Sequence, residues 1–133
     1  MKTWHVVAAA CSTVMLSAVA QPAAAHHSFA AEFDSEQPVT LRGTITKMEW
    51  MNPHTWLHID VENDDGSVTE WGFELGAPPR LRRIGISPKF WQEGDRLVLK
   101  TRPLKDGRPA GSLVGARTDA GRTFGNTNGL PAE

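Results

Sequence analysis

Between Pro38 and Leu75 apolar side chains recur at alternate positions in three separate runs, and downstream this period gives way to another only once. Val39, Leu41 and Ile45 alternate with Thr40, Arg42, Thr44 and Thr46, so Pro38 to Trp50 predicts a long first strand. Gly43 falls on its apolar face and marks a bend or bulge there. Beyond the Asn52-Pro53 turn signal, Leu57, Ile59 and Val61 alternate with Trp56, His58 and Asp60 in a second strand. Asn63-Asp64-Asp65-Gly66 is a hairpin turn, and Trp71, Phe73 and Leu75 mark a third strand. The period then changes. Pro78-Pro79 opens a helix with Leu81 and Ile84 on its inner face, and Gly85 ends it. Ser87-Pro88-Lys89 can start a further short turn that points Phe90 and Trp91 inward. Arg96 to Arg102 predicts a fourth strand with Leu97 and Leu99 inward, Lys105 to Arg108 a turn, and Ser112 to Thr118 a fifth strand.

The order strand, strand, strand, helix, strand, strand is that of an all-β, five-stranded OB-like Greek-key barrel with a short helix between strands 3 and 4. A long bent first strand suits it, because that strand must serve both halves of the barrel. The expected organisation is a signal peptide at 1–25, an N-terminal segment at 26–37, the barrel at 38–124 and a disordered tail at 125–133. The tail expectation rests on its Gly, Asn and Pro content.

Lys2 followed by the apolar stretch Val6 to Ala20 reads as a secretory signal. The stretch is short of the roughly 20 apolar residues of a membrane span. Ala18-Val19-Ala20 and Ala23-Ala24-Ala25 both offer small residues for cleavage. Cleavage after Ala25 is preferred, since a cut after Ala24 would put Pro22 in a pocket for small residues. Ala8-Ala9-Ala10-Cys11 lacks the larger aliphatic residue of a lipidation site. Cys11 is the single cysteine and would leave with the signal, so the exported chain would have no disulfide and no thiolate metal ligand. With 14 Lys and Arg against 15 Asp and Glu, the chain has no general affinity for nucleic acid or anionic membrane. The expected location is the periplasm or the exterior, with no membrane span after signal removal.

The chain looks like the small exported OB-fold proteins of bacteria. More closely, it resembles an uncharacterised family of small bacterial exported proteins. The resemblance lies in Ala25-His26-His27-Ser28-Phe29, Asn52-Pro53-His54, Trp71-Gly72-Phe73-Glu74 and Glu93-Gly94-Asp95. It covers most of the exported domain and implies fold and export, but no reaction.

Four histidines remain beyond the signal: His26, His27, His54 and His58. Imidazole suits copper, zinc or nickel. With His26 at the mature terminus, its amine and ring nitrogen form a chelate that a third imidazole could complete around copper. A cut after Ala24 would instead put His27 third, the position that binds Cu(II) or Ni(II) in a square plane. The plain alternative is a polar leader. His54 and His58 share a strand face with Trp56, but lie roughly 13 Å apart on an extended strand, too far to share one ion. Either could join His26 or His27 if the N-terminal segment folds over that face, with Phe29 and Phe33 packing on Trp56. Otherwise His54 serves the turn and His58 is a solvated strand residue. Trp50, Trp56 and His58 form a candidate face for a ligand or partner. Arg80, Arg82, Arg83, Arg96, Lys100, Arg102, Lys105 and Arg108 could meet an acidic partner or an anionic ligand, although a solvated face is the commoner outcome of such a run. Glu70 and Glu74 share an outward parity about 7 Å apart, with nothing around them marking a sugar site. Ser28 and Ser112 lack a motif that places a base beside them. The expected function is therefore an exported periplasmic, non-catalytic binding or accessory module for an unidentified small ligand or protein. Its alternative is a copper-type metal protein built on His26 and His27, with His54 or His58 as a further ligand.

Overall fold

Strand β1 (Val39–Glu49) is long enough to pair with two neighbours, and the rest of the barrel is arranged around that fact. In the computed structural model, which describes residues 28–132, its first half pairs antiparallel with β4 (Arg96–Pro103), from Val39 opposite Thr101 to Thr44 opposite Arg96. Its second half pairs with β2 (Trp56–Glu62), from Gly43 opposite Val61 to Glu49 opposite Trp56. Strand β2 pairs with β3 (Val68–Glu74), β4 with β5 (Ala110–Thr118), and a short parallel seam of β3 against β5 closes the five-stranded barrel. Helix α2 (Pro78–Arg83) links β3 to β4, so the expected fold class is the one observed. Two elements lie outside it: a single-turn helix α1 (Phe29–Glu32) and a short β6 (Thr123–Gly125) on the free edge of β5.

Alternation in the sequence becomes burial in the barrel. Leu57, Ile59, Phe73 and Leu99 are fully buried, joined by Ile45, Val61, Leu97 and Leu113. Trp91 closes one side of this core, with Phe90 and Phe124 edge-on to its ring at 5.3 and 5.6 Å. Each large apolar side chain buried this way stabilises the fold by about 1.5–3 kcal/mol.

Gly43 behaves differently from expectation. It stands where β1 has β2 on one side and β4 on the other, and a Cβ there would lie 2.3 Å from the Asp60 carbonyl oxygen and 2.5 Å from Ile59 Cγ2. Its role is close approach; the irregularity in register falls after it, between Ile45 and Lys47. Helix α2 also departs in one residue. Leu81 points inward as expected, but Ile84 is 60% exposed. The reason is the turn at Gly85, whose φ is 83°. Gly85 N–H donates to the Arg82 carbonyl and Ile86 N–H to the Leu81 carbonyl, the paired bonds of a Schellman cap. That turn swings Ile86 into the core in place of Ile84.

Several backbone groups of the described residues beyond Gly125 are bonded to the barrel. Asn126 N–H donates to the Val114 carbonyl, and Lys100 and Arg117 reach the carbonyls of Asn128 and Pro131. Gly115 makes the room, since a Cβ there would meet the Asn126 carbonyl oxygen at 2.0 Å.

Gly43→Ala is expected to lower unfolding free energy by about 1–3 kcal/mol, the usual range for forcing extra volume into a packed site. Gly72→Ala, whose Cβ would rest 3.6 Å from the Trp56 ring, should change stability by much less. Urea denaturation of the two variants beside the parent chain checks this.

Candidate functional site

Helix α1 is held against the barrel by β4 and the turn that follows it. Asp34 N–H donates to the Pro103 carbonyl, Lys105 N–H to the Glu32 carbonyl, and Lys105 Nζ to the Ala30 carbonyl. Phe33 is buried and bridges Leu104, and its ring lies 4.8 Å from that of Phe29. Phe33 and Trp56 line one shallow groove, together with Leu104 and Glu74. Phe29 turns the other way, to sit under the Arg102 guanidinium at 5.7 Å from its ring centre.

Phe29 thereby becomes one wall of a cleft of about 350 Å³ at the β3–β5 seam, between α1 and α2. Ile84, Leu113 and Phe124 extend its apolar lining. The polar lining comes from His54, Glu74, Arg80, Arg102 and Ser112. Each has a structural reason to be there. Arg80 projects from the first turn of α2, while Arg102 and Ser112 are paired across β4 and β5. Glu74 ends β3 opposite Ser112. His54 stands just before β2, where Thr55 continues the ladder by accepting from Leu75 N–H and donating to the Gly76 carbonyl. The Asn52–Pro53 peptide that precedes His54 is cis.

His54 Nδ1 lies 2.5 Å from Glu74 Oε1. This contact sets Nδ1 against the carboxylate and points the other ring nitrogen, Nε2, away from it. Ser112 makes no side-chain hydrogen bond to His54, so the cleft holds no preassembled nucleophile and base among the described residues. The basic run is mostly occupied. Arg96 reaches Glu62 at 3.2 Å, Arg108 reaches Asp106 at 2.8 Å, and Arg82 lies over the Trp50 ring at 5.7 Å. Arg80, Arg82, Arg83 and Arg102 form no ion pair with a carboxylate of a described residue, and of these Arg80 and Arg102 line the cleft.

The other residues singled out in the sequence are dispersed. His58 sits on the outer face of β2 between Glu49 of β1, at 3.4 Å, and Glu70 of β3, at 3.7 Å. Glu70 and Glu74 thus each face a different histidine. Trp50 packs against the core, its indole N–H buried without a partner, while Trp56 covers Gly72 on the outer surface. His26 and His27 lie outside the described residues, and among the described residues no group of three His, Cys, Asp or Glu side chains could hold a metal ion. What sequence reasoning missed is the cleft itself. Its basic residues were visible as a run, but which of them lack carboxylate neighbours depends on strand pairing.

The sequence profile of a family of unknown function, DUF6152, matches residues 13–113. The chain belongs to that family, whose match spans β1 to β4 and ends within β5. No curated protein and no solved structure matches the chain significantly.

The Glu49 carboxyl is held below its ordinary value near 4.5, first by the hydrogen bond from Lys47 and then by His58. A depressed carboxyl contributes stability that is present above its unfolded value and is lost as pH falls through its folded value. Carboxyl 13C NMR should give Glu49 a midpoint below 4.5, and Lys47→Gln should raise it more than His58→Gln. Equal midpoints in all three chains would refute the pairing.

Proposed function

We propose that this member of DUF6152 is an exported, non-catalytic binding module that holds a small ligand in the cleft between α1 and α2. The observation that carries this reading is the cleft's composition. Phe29, Ile84, Leu113 and Phe124 offer an apolar wall, and the groups opposite include Arg80, Arg102 and the His54–Glu74 pair. Apolar walls with a few converging polar groups are how small-molecule sites are built, and about 350 Å³ falls at the low end of their usual range of about 300–1,000 Å³. Export is supported by Lys2, the apolar run to Ala20 and the Ala23-Ala24-Ala25 cleavage site.

A second reading, copper binding, is favoured by one specific feature. His54 gives its Nδ1 to Glu74, the carboxylate support typical of metal-bound histidines, which frees Nε2 for an ion. His27 precedes Phe29 by two residues, and Phe29 lines the same cleft as His54. A chain cut after Ala25 would bring the amine and ring of His26 as further donors.

Native intact mass and fragment titration by 1H–15N NMR test both readings on protein exported through its own signal. The binding module predicts a chain beginning at His26, without bound metal, and fragment-induced shifts confined to the cleft. A chain that keeps its signal, or a cleft that responds to no fragment, would overturn it. One copper per chain that survives desalting, and is lost in His26→Ala and in a chain extended at its N-terminus, would put the metal protein in its place.

A further inference from the structure

We infer that the cleft ligand is a small monocarboxylate with an aromatic or aliphatic body, an inference that rests on the binding reading above. The charge of the lining comes first. Two arginines, Arg80 and Arg102, line the cleft with a single carboxylate, Glu74, and that carboxylate lies 2.5 Å from His54 Nδ1. Arg96 has Glu62 and Asp119, Arg108 has Asp106, and Arg122 has Asp95 at 3.9 Å. Arg80 and Arg102 line one concavity, and neither forms an ion pair with a carboxylate of a described residue. Arg80 and Arg102 set against Glu74 leave one excess positive charge among these three groups, which matches a single carboxylate. A guanidinium presents its N–H groups in a planar fork that fits a carboxylate with two parallel hydrogen bonds. The Ser112 hydroxyl adds a neutral donor in the same lining.

The apolar half of the site points to the body of the ligand. Phe29 and Ile84, respectively 46% and 60% exposed, are two of the four large hydrophobic side chains strongly exposed among the described residues, and both line this cleft. Phe29 is held in place from behind by Phe33 and from above by Arg102, so its ring is a prearranged surface. A flat or aliphatic body lying between Phe29 and Phe124, with its carboxylate on the arginines, would cover this apolar surface and neutralise the excess charge together.

Benzoate, benzyl alcohol and phenyl phosphate, each titrated into the exported protein at low salt and followed by 1H–15N NMR, test the inference. Benzoate should shift the Gly76, Leu113 and Phe124 amides and the Arg80 and Arg102 Nε–H signals saturably, and bind at least about tenfold more tightly than benzyl alcohol. Arg80→Gln, an exposed helix substitution that leaves the fold intact, should weaken benzoate about tenfold, as should Arg102→Gln. Arg96→Gln should leave binding unchanged. Benzyl alcohol binding the cleft as tightly as benzoate, or indifference of benzoate to both cleft substitutions, would overturn the carboxylate while leaving the binding module standing. Tighter binding of phenyl phosphate would replace carboxylate with phosphate. A cleft that none of the three probes shifts would overturn this inference and weigh against the binding reading itself.

Discussion

The barrel depends on one strand being shared. β1 must hydrogen-bond β4 along its first half and β2 along its second, and around Gly43 and Thr44 it does both. At that overlap β2 comes so close that no side chain fits at position 43. Without this approach the two half-sheets could not curl toward each other, and the β3–β5 seam that closes the barrel would not form. The buried cluster of Ile45, Leu57, Ile59, Phe73, Leu97 and Leu99 is the energetic return on that closure. Polar strand edges are paired around the ring, so the fold avoids the exposed edges of an open sheet.

Closure also creates the cleft. The parallel seam brings the end of β3 beside the start of β5, which sets Glu74 next to Ser112. Helix α2 begins four residues after Glu74 and leans Arg80 over the same spot, while α1 is strapped to the end of β4 and supplies Phe29. Four separate stretches of sequence therefore meet at one end of the barrel. Their charges do not cancel there. Elsewhere Arg96 and Arg108 find carboxylates, and Lys100 and Lys105 find backbone carbonyls.

Much of the fold was legible because it is written in short-range patterns. Alternation placed Leu57, Ile59, Val61, Phe73, Leu97 and Leu99 inside, and all are buried. Pro78-Pro79 and Gly85 bracketed α2. Ile84 was misjudged because helical spacing was continued one residue past the helix, when Gly85 had already turned the chain and substituted Ile86. Glycine at 43 was read correctly as exceptional, but for a bend instead of a close approach.

Function was far less legible, since each residue that lines the cleft has an ordinary role when seen alone. His54 is a turn residue, Glu74 a strand carboxylate, Arg80 one of three arginines on a helix, Phe29 an apolar residue in a leader. By itself the sequence determined which faces are buried, where helix α2 falls and which chemical groups the chain possesses, because periodicity, turn residues and composition act over a few neighbouring positions. Only the tertiary structure decided which of those groups meet, which arginines go without a carboxylate, and where apolar surface stays in water, because these follow from pairings between residues as far apart as Phe29 and Phe124.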